Sequence, residues 1–472
     1  MTMFRVARHW VPLLAATLFL ASCGGGGTVD NDVAFRFIQA SPDAPLVNLR
    51  VDGTALRSAV PYKGGSGFIF VTPRQYDFSL EAILSGGNQV VLDAPGTPLE
   101  GGREYSVIAI GKDATDTVQP LIFSNAIESI PAGSARLQLA HAAPDQPPLD
   151  VYLTAPGAVL AAAVPIGQIS YGDMPAARQL VDEGTYVLSV TPAGVTTPVL
   201  FQSTTITLHS RDDWLLVAVA NTAPGVSPIS IVVDNHFATG QTSVLPEILD
   251  KDTPADVSVI NLSPDAPAID VIGDPVAQDA PDVSFASNLN YLENTAYVSV
   301  APDGYAVRGV PSSDPLADPP LFDFSRNLII GQRLTVLALG LLATIDDTVL
   351  VDDIRPVYAQ GKLRIIDAAP AANIVDVYIV PAGTDVASVE APTLCNLGLR
   401  SATGHFGFTP DNYTVTFTEA GGKTLIASAN VAAGPGSVQT VILHDAVRVD
   451  DTSDGKPAGI LIIDDLTQAA TP

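Results

Sequence analysis

The chain has 472 residues, enough for several domains, and 47% of them are hydrophobic, which excludes a disordered protein. Its 38 glycines and 38 prolines disfavour long helices but suit short strands joined by turns. The net charge of -27 opposes contact with nucleic acid and with anionic lipid headgroups, so we expect neither as a direct partner.

An export signal is the first predicted element. An apolar run at 11–20 follows two arginines and is shorter than a membrane-spanning helix. The segment Leu20-Ala21-Ser22-Cys23 then matches a bacterial lipobox, in which the cysteine becomes the N-terminus and its thiol takes a diacylglycerol. We therefore predict a lipoprotein signal peptide at 1–22 and a lipidated Cys23 that opens a glycine-rich tether at 23–32. An ordinary signal peptide is the alternative.

The residue after the cysteine bears on location. It is Gly24, and by resemblance to Gram-negative lipoproteins a residue other than Asp there implies the outer membrane rather than the inner one. We expect an exported protein that contacts a membrane through its N-terminal lipid and is anchored to the cell envelope. Whether it faces the periplasm or the cell surface stays open.

Four segments with the same opening follow the tether. In each, an alternating strand runs into a proline, which ends the hydrogen-bond ladder, and a second alternating strand leaves the turn. In the first copy the turn begins at Ala40 and reads Ala-Ser-Pro-Asp-Ala-Pro. In the second copy the strand after the turn contains Asp-Val-Tyr-Leu, which begins at Asp150. The key prolines lie 102, 120 and 106 residues apart, which suits sandwich domains of about 100 residues. They are Pro42, Pro144, Pro264 and Pro370.

Polar residues beside each proline are predicted to shape the turn. We expect Asp43, Asp145 and Asp265 to accept hydrogen bonds from local backbone amides. The residue three before each proline is also polar, and we expect it to cap the turn rather than to bind a ligand. These residues are Gln39, His141, Asn261 and Asp367. A tyrosine that leads a later strand is predicted to anchor a loop through its hydroxyl, as in the tyrosine corner of immunoglobulin domains. The four candidates are Tyr76, Tyr186, Tyr297 and Tyr413.

Each copy offers about six or seven short strands and no long helix, a pattern typical of a sandwich. We predict an all-β chain of four tandem antiparallel immunoglobulin-like β-sandwich units. The middle connection is the longest, so we expect the units to be arranged as two pairs. The predicted units are 33–125, 135–235, 255–353 and 361–466, with a linker at 236–254.

The run Ala-Ser-Pro-Asp-Ala-Pro followed by Asp-Val-Tyr resembles the bacterial family called domain of unknown function 4397, which is found in exported and surface proteins. The resemblance covers most of 33–466. Two copies depart from the pattern, because Ala371 stands where Asp is expected and Asn48-Leu-Arg replaces Asp-Val-Tyr. The family implies no established activity.

Catalytic signatures do not emerge from the sequence. The histidines after the signal peptide lack His-x-x-x-His spacing, and there is no Cys-x-x-Cys pair or Gly-x-Ser-x-Gly elbow. We therefore predict a protein that is not an enzyme. We interpret Cys395 as a small buried hydrophobe rather than a nucleophile, since no base lies beside it in sequence.

Carboxylates close the last strand of three copies, and they are candidate calcium ligands that would stiffen domain junctions. They are Asp234, Asp352, Asp353, Asp464 and Asp465. The alternative is that these are solvated acids that discourage pairing at sheet edges. No other cofactor is expected.

The resulting hypothesis is a non-catalytic envelope lipoprotein whose modules serve adhesion, matrix contact or scaffolding, with a protein or matrix component as partner. One alternative is a binding module for a small ligand or glycan, at the sandwich loops or in the cleft within a pair. Aromatic residues make up only 6% of the chain, which gives glycan binding little support. The other alternative is a hydrolase whose site is not visible in sequence.

Overall fold

The computed structural model describes residues 33–175, 177–235, 244–277, 280–372, 374–445 and 458–467. The predicted signal peptide, Cys23 and the tether lie outside these residues. Across the described ranges the chain is all-β, with only short 3-10 helices between strands. No helix within those ranges is long and apolar enough to span a membrane.

Within the described ranges, each unit contains eight strands in the same chain order, and the second unit has a ninth. Unit 1 has β1 Val33–Gln39, β2 Val47–Val51, β3 Thr54–Val60, β4 Ile69–Val71, β5 Arg74–Ala82, β6 Gln89–Leu99, β7 Arg103–Ile110 and β8 Gln119–Ala126. Unit 2 has β9 Ser134–His141, β10 Leu149–Thr154, β11 Gly167–Ile169, β12 Gln179–Asp182, β13 Gly184–Pro192, β14 Phe201–Leu208, β15 Asp213–Ala220, β16 Ile229–Asn235 and β17 Glu247–Ile248.

The second half of the chain repeats this order. Unit 3 has β18 Ala255–Leu262, β19 Ile269–Pro275, β20 Val283–Leu289, β21 Val298–Val300, β22 Gly304–Pro311, β23 Phe322–Asn327, β24 Arg333–Leu339 and β25 Asp346–Val351. Unit 4 has β26 Gly361–Ala368, β27 Ile374–Pro381, β28 Leu394–Gly398, β29 Phe406–Phe408, β30 Asp411–Glu419, β31 Leu425–Ala433, β32 Val438–Asp445 and β33 Ala458–Asp464. Short 3-10 helices lie at Asp113–Thr115, Leu160–Ala162, Leu342–Thr344 and Val386–Ser388.

Every unit is a sandwich of two sheets, as predicted. In unit 1 the sheet orders are β4-β1-β7-β8 and β3-β2-β5-β6, and the other units follow the same scheme. The first and seventh strands run parallel, with Phe35 opposite Tyr105, while the other pairings are antiparallel. This strand order differs from that of an immunoglobulin domain, whose first two strands share a sheet. Here β1 and β2 lie in opposite sheets, because the proline turn carries the chain across the sandwich.

The units associate as two pairs, which confirms the predicted arrangement. In each pair the sheets that contain the first strands pack face to face, so that four sheets form one stack. Ile38 and Ile108 of unit 1 share a core with Val217 and Val232 of unit 2. A corresponding core joins units 3 and 4. Each fully buried aliphatic side chain of this kind contributes about 1.5–3 kcal/mol.

This stacking explains the burial of the first strands. In β1, β18 and β26 every residue is buried, and in β9 only the first residue is not. One face of each strand packs inside its own sandwich, and the other face packs on the neighbouring unit. Because both faces are covered, the polar residues that alternate with the apolar ones in these strands, such as Arg36 and Arg364, are buried as well.

The two pairs meet end to end. We call the end of a pair where its first strands begin the start end, and the opposite end, which holds the proline turns, the motif end. The motif end of the first pair contacts the start end of the second. Arg355 Nη1 donates to the carbonyl oxygens of Pro42 and Ala44, at 2.9 and 3.1 Å. On the other side of the junction, Arg333 Nη1 donates to the Thr222 carbonyl at 2.9 Å.

Part of the predicted linker packs against the first pair of units. Residues 236–243 lie outside the described ranges, but Val244 forms a β-bridge with Gly64 of unit 1. Leu245 is buried in the core between units 1 and 2, and β17 pairs with β16. The connection therefore packs against the first pair before it enters unit 3.

Candidate functional site

The residues three before each proline cap the turn, as predicted. Each accepts a hydrogen bond from the backbone amide two residues later, at distances of 3.1 to 3.3 Å. The acceptor atoms are Gln39 Oε1, His141 Nδ1, Asn261 Oδ1 and Asp367 Oδ1. His141 Nε2 lies 3.1 Å from the Pro147 carbonyl, and burial lowers the pKa of this histidine. His141 therefore fixes the turn through both of its ring nitrogens.

The turn acids do not bind local amides, which corrects the prediction. Asp43 accepts hydrogen bonds from the amides of Asp113 and Ala114, at 2.8 and 3.0 Å. Asp265 does the same with the amide of Leu342 at 2.7 Å. These amides begin the 3-10 helices that follow the seventh strands. In each unit the seventh strand runs parallel to the first, so the end of the seventh strand lies beside the proline turn. Asp145 instead forms an ion pair with Lys112 of unit 1.

The two departures from the repeated motif are compensated by other polar groups. In unit 4 the amide of Ala371 donates to Asp445 Oδ1 at 3.2 Å, so the carboxylate comes from the seventh strand. In unit 1 Asn48 Oδ1 accepts from the Ala59 amide at 3.0 Å. The corresponding acid of unit 4, Asp376, accepts from the Asn396 amide at 2.8 Å. Ala59 and Asn396 both have positive φ, at bulges of the neighbouring strand.

Tyrosine corners are present in all four units, but one was assigned to the wrong residue. The hydroxyls of Tyr76, Tyr186 and Tyr413 donate to the carbonyl four residues earlier, each at 2.8 Å. In unit 3 this residue is Tyr305, whose hydroxyl lies 3.0 Å from the Ala301 carbonyl. Tyr297 precedes the fourth strand rather than the fifth, and its hydroxyl donates to Asp352.

The acidic strand ends are partners of the chain's own cations. Asp352 and Asp465 flank the guanidinium of Arg364, whose side chain is only 2% exposed. Asp465 Oδ2 also lies 2.9 Å from His405 Nε2, and Asp352 accepts from the Tyr297 hydroxyl at 2.8 Å. This network lies where units 3 and 4 meet. Its carboxylates are therefore buried, and the expectation of solvated acids is wrong for them.

The remaining candidate calcium ligands have separate surroundings. In the first pair Asp234 Oδ2 lies 3.4 Å from Arg36 Nη1, and both side chains are buried. Asp353 pairs with Lys362 at 3.0 Å, while Asp464 is exposed and accepts from the amide of Leu466. Within the described part of the chain, no three His, Cys, Asp or Glu residues are grouped to hold a metal ion.

A polar cleft opens where the two pairs meet. Its volume is about 330 Å³, and its lining includes Tyr62, Lys63, Glu247, Arg333, Asp353 and Arg355. Lys63 Nζ lies 2.6 Å from Glu247 Oε1, and the Arg355 guanidinium lies 5.6 Å from the centre of the Tyr62 ring. Burial lowers the pKa of Lys63 and of Arg355, and nearby carboxylates act in the opposite direction. The cleft combines both charge signs with one aromatic face, which suits a small polar ligand.

Cys395 is exposed, which corrects the prediction that it is buried. It lies on β28, an edge strand with a bulge at Asn396. The bulge adds one residue, so Leu394 and Leu397 both pack on the core although they are three apart. The thiol between them consequently faces solvent.

Together these features define a tandem β-sandwich protein whose repeated polar residues hold the backbone. The family comparison agrees: the profile described as "Domain of unknown function (DUF4397)" matches residues 33–152 and 255–378. These ranges make up more than half of the chain, so the protein belongs to this family. Each match starts at the first strand of a pair and ends within the second strand of its second unit.

Other comparisons add little. No curated protein matches the chain. Among solved structures, the Bacillus anthracis TIE protein is 8% identical with a TM-score of 0.15, over 88% of this chain and 68% of its own. The glycogen-degrading pneumococcal virulence factor SpuA is 11% identical with a TM-score of 0.15, over 85% and 38%. A leucine-rich repeat protein from Bacteroides thetaiotaomicron is 11% identical with a TM-score of 0.11, over 40% and 26%. TM-scores this low carry no argument about function.

Proposed function

We propose that this protein is a non-catalytic, lipid-anchored envelope protein whose two stacked pairs form a stiff module for adhesion, matrix contact or scaffolding. The observation that carries the proposal is the use of the repeated polar residues. Those that cap the turns, such as Asn261 and Asp367, bind the chain's own backbone. These capping side chains maintain the geometry of the turns, and all four are buried, at 0–1% exposure, out of contact with a ligand in solution.

The end-to-end junction supports a mechanical role. Arg355 joins the two pairs through two backbone carbonyls of unit 1, and Arg333 Nη1 donates to the Thr222 carbonyl of unit 2 at 2.9 Å. Contacts made on both sides of the junction resist bending better than a single flexible linker. An envelope protein of this form would hold its far end at a set distance from the membrane.

Anchoring is tested with the full chain expressed in a Gram-negative host. Cys23→Ser should release the protein from membranes, because no diacylglycerol can be attached without the thiol. The matched control is Cys395→Ser, which removes the exposed thiol of unit 4 and should leave the protein in the membrane fraction. If the Cys23→Ser protein still sediments with membranes after a high-salt wash, the lipoprotein assignment is wrong.

The modular role is tested by a binding screen of the purified lipoprotein against envelope and extracellular-matrix components, run beside a panel of ester, glycoside and peptide substrates. Saturable binding to a macromolecule without turnover supports the proposal. Turnover that copurifies with the protein through successive chromatography steps would replace it with the hydrolase alternative.

A small polar ligand in the junction cleft is the second candidate function. The observation in its favour is the concentration of Lys63, Arg333 and Arg355 around one opening of about 330 Å³. A thermal-shift panel of organic acids, amino acids and sugars tests this candidate. A ligand that stabilises the protein should lose its effect in Arg355→Met, but not in Lys251→Met, which removes an exposed lysine paired with Asp252.

A further inference from the structure

One loop of unit 2 is apolar and exposed. It joins β10 to β11, and residues 158–165 read Ala-Val-Leu-Ala-Ala-Ala-Val-Pro, without a polar side chain. Val159 is 71% exposed and Val164 is 82% exposed. The neighbouring alanines at 161 and 162 are exposed as well. Single exposed apolar residues are ordinary, but a continuous segment of this length marks a surface that contacts something apolar.

The local structure does not demand this composition. The corresponding loop of unit 4 joins β27 to β28 and contains a 3-10 helix at Val386–Ser388, as the loop of unit 2 does at Leu160–Ala162. In unit 4 the helix is capped by Asp385, which accepts from the Ala387 amide at 2.9 Å, and Glu390 follows. The same turn therefore forms with polar residues, so the apolar sequence of unit 2 needs another explanation.

The apolar loop lies at the start end of the first pair. The proline turn reverses the chain between β9 and β10, so β10 ends where β9 begins. Arg36, in the middle of β1, contacts Asp234, near the end of β16. Asn235, which ends β16, pairs with Trp214 near the beginning of β15, a strand parallel to β9. Val33 and the loop thus share one end of the pair, while the second pair contacts the other end.

The tether length brings this end close to a bilayer. Nine residues lie between Cys23 and Val33, which makes ten steps from Cα to Cα, and the segment contains four consecutive glycines. A chain of this length reaches at most about 36 Å, and a flexible one averages roughly 16–19 Å between its ends. A lipid on Cys23 would therefore hold the start end, and the loop with it, near the membrane surface.

We propose that the loop at 158–165 enters the interface of the bilayer that holds the lipid anchor and forms a second membrane contact. The inference rests on the proposed anchoring at Cys23. Because the chain carries a net charge of -27, the contact is apolar and suits a zwitterionic phospholipid surface rather than an anionic one. Apolar groups at an interface are buried about 5–10 Å, into the boundary between headgroups and acyl chains.

The test uses the full lipoprotein with Cys395→Ser, reconstituted into phosphatidylcholine vesicles. An environment-sensitive fluorophore is attached at Ala161→Cys, and the matched control carries it at Ala387→Cys in the polar loop of unit 4. Both positions are exposed in the protein itself. A quencher carried on the lipid acyl chains should reduce fluorescence several-fold more at Ala161→Cys than at Ala387→Cys. Equal quenching at the two positions would overturn the inference.

A second variant separates the loop from the anchor. Replacing Val159 and Val164 with Asp should leave the protein floating with the vesicles through its lipid, but it should abolish the preferential quenching at Ala161→Cys. If the protein floats and quenching at Ala161→Cys does not exceed the control, only the loop inference fails. If no variant floats, the anchor fails, and the loop inference fails with it. Dimers in detergent that the two Asp substitutions dissociate would identify a second copy as the occupant and refute the membrane contact.

Discussion

Asp367 is predicted to make the second pair less stable as pH rises. Its side chain is fully buried in unit 4, and Oδ2 has no hydrogen-bond partner among the residues that the structure describes. Burial raises the pKa of Asp367 from its ordinary value of 3.8 to about 7. Asp445 nearby acts in the same direction, while the hydrogen bond from the Ala369 amide acts against it.

The direction of the pH effect on stability depends on whether the folded or the unfolded chain holds the proton of Asp367 more tightly. The folded protein keeps the proton of Asp367 up to about pH 7, whereas the unfolded chain loses it near pH 3.8. The free energy of unfolding therefore falls between these values, by about 1.4 kcal/mol for each pH unit and about 4 kcal/mol in all. Unit 3 has Asn261 at the same position, where it makes the same bond to the amide two residues later. Asp367→Asn should thus remove the pH dependence and stabilise the second pair above pH 7.

Calorimetric melting of the wild type and of Asp367→Asn between pH 5 and pH 8 tests this prediction. The melting temperature of the second pair should be higher in Asp367→Asn than in the wild type, and this difference should increase as pH rises. Each kcal/mol of difference in the free energy of unfolding corresponds to roughly 2–4 °C. Asp464→Asn is the control, since it removes the same charge from an exposed site of unit 4. Parallel curves for the wild type and Asp367→Asn, or an equal effect in the control, would refute the reasoning.

Three further predictions concern the groups that hold the units together. Arg364→Met should destabilise the second pair by about 3–5 kcal/mol in denaturant unfolding, because it leaves two buried carboxylates without their cation; adding Asp352→Asn should recover part of the loss. Tyr305→Phe should cost about 0.5–1.5 kcal/mol, the usual contribution of one hydrogen bond, and an unchanged unfolding midpoint would rule out the corner assigned to it. Calcium should raise the melting temperature no more than magnesium does at matched ionic strength, and a calcium-specific rise would show that the acidic strand ends bind the ion despite their own cations.

Local signals in the sequence were sufficient for the repeats and the turn caps, but each unit has more strands than the six or seven predicted. A cap needs only a polar side chain two residues before the amide that it binds, as at Asn261 and Ser263. The tyrosine corner of unit 3 was missed because two tyrosines lead strands there: Tyr297 precedes β21, and Tyr305 is the second residue of β22. Sequence spacing does not tell which of these strands is the fourth and which is the fifth.

The other errors concern partners that are distant in sequence. Asp43 binds amides about 70 residues away, since the parallel pairing of β1 and β7 brings them together. The burial of Asp352 and Asp465 depends on the packing of one unit against the next, which no single repeat encodes. Cys395 faces solvent because of a bulge, and a simple alternation of faces cannot reveal an inserted residue.

The repeats preserve hydrogen bonds more closely than they preserve residues. Asn48 takes the place of an acid in unit 1, and in unit 4 Asp445 supplies the carboxylate that Ala371 lacks. A substitution that keeps the bond leaves the sandwich intact, so variation inside the motif gives no reason to assign different functions to the copies. The apolar loop at 158–165 differs in kind, because no structural role in unit 2 accounts for its composition and unit 4 forms the same turn with polar residues. Functional differences between the copies are therefore best sought in such loops, where the fold leaves the side chains unconstrained.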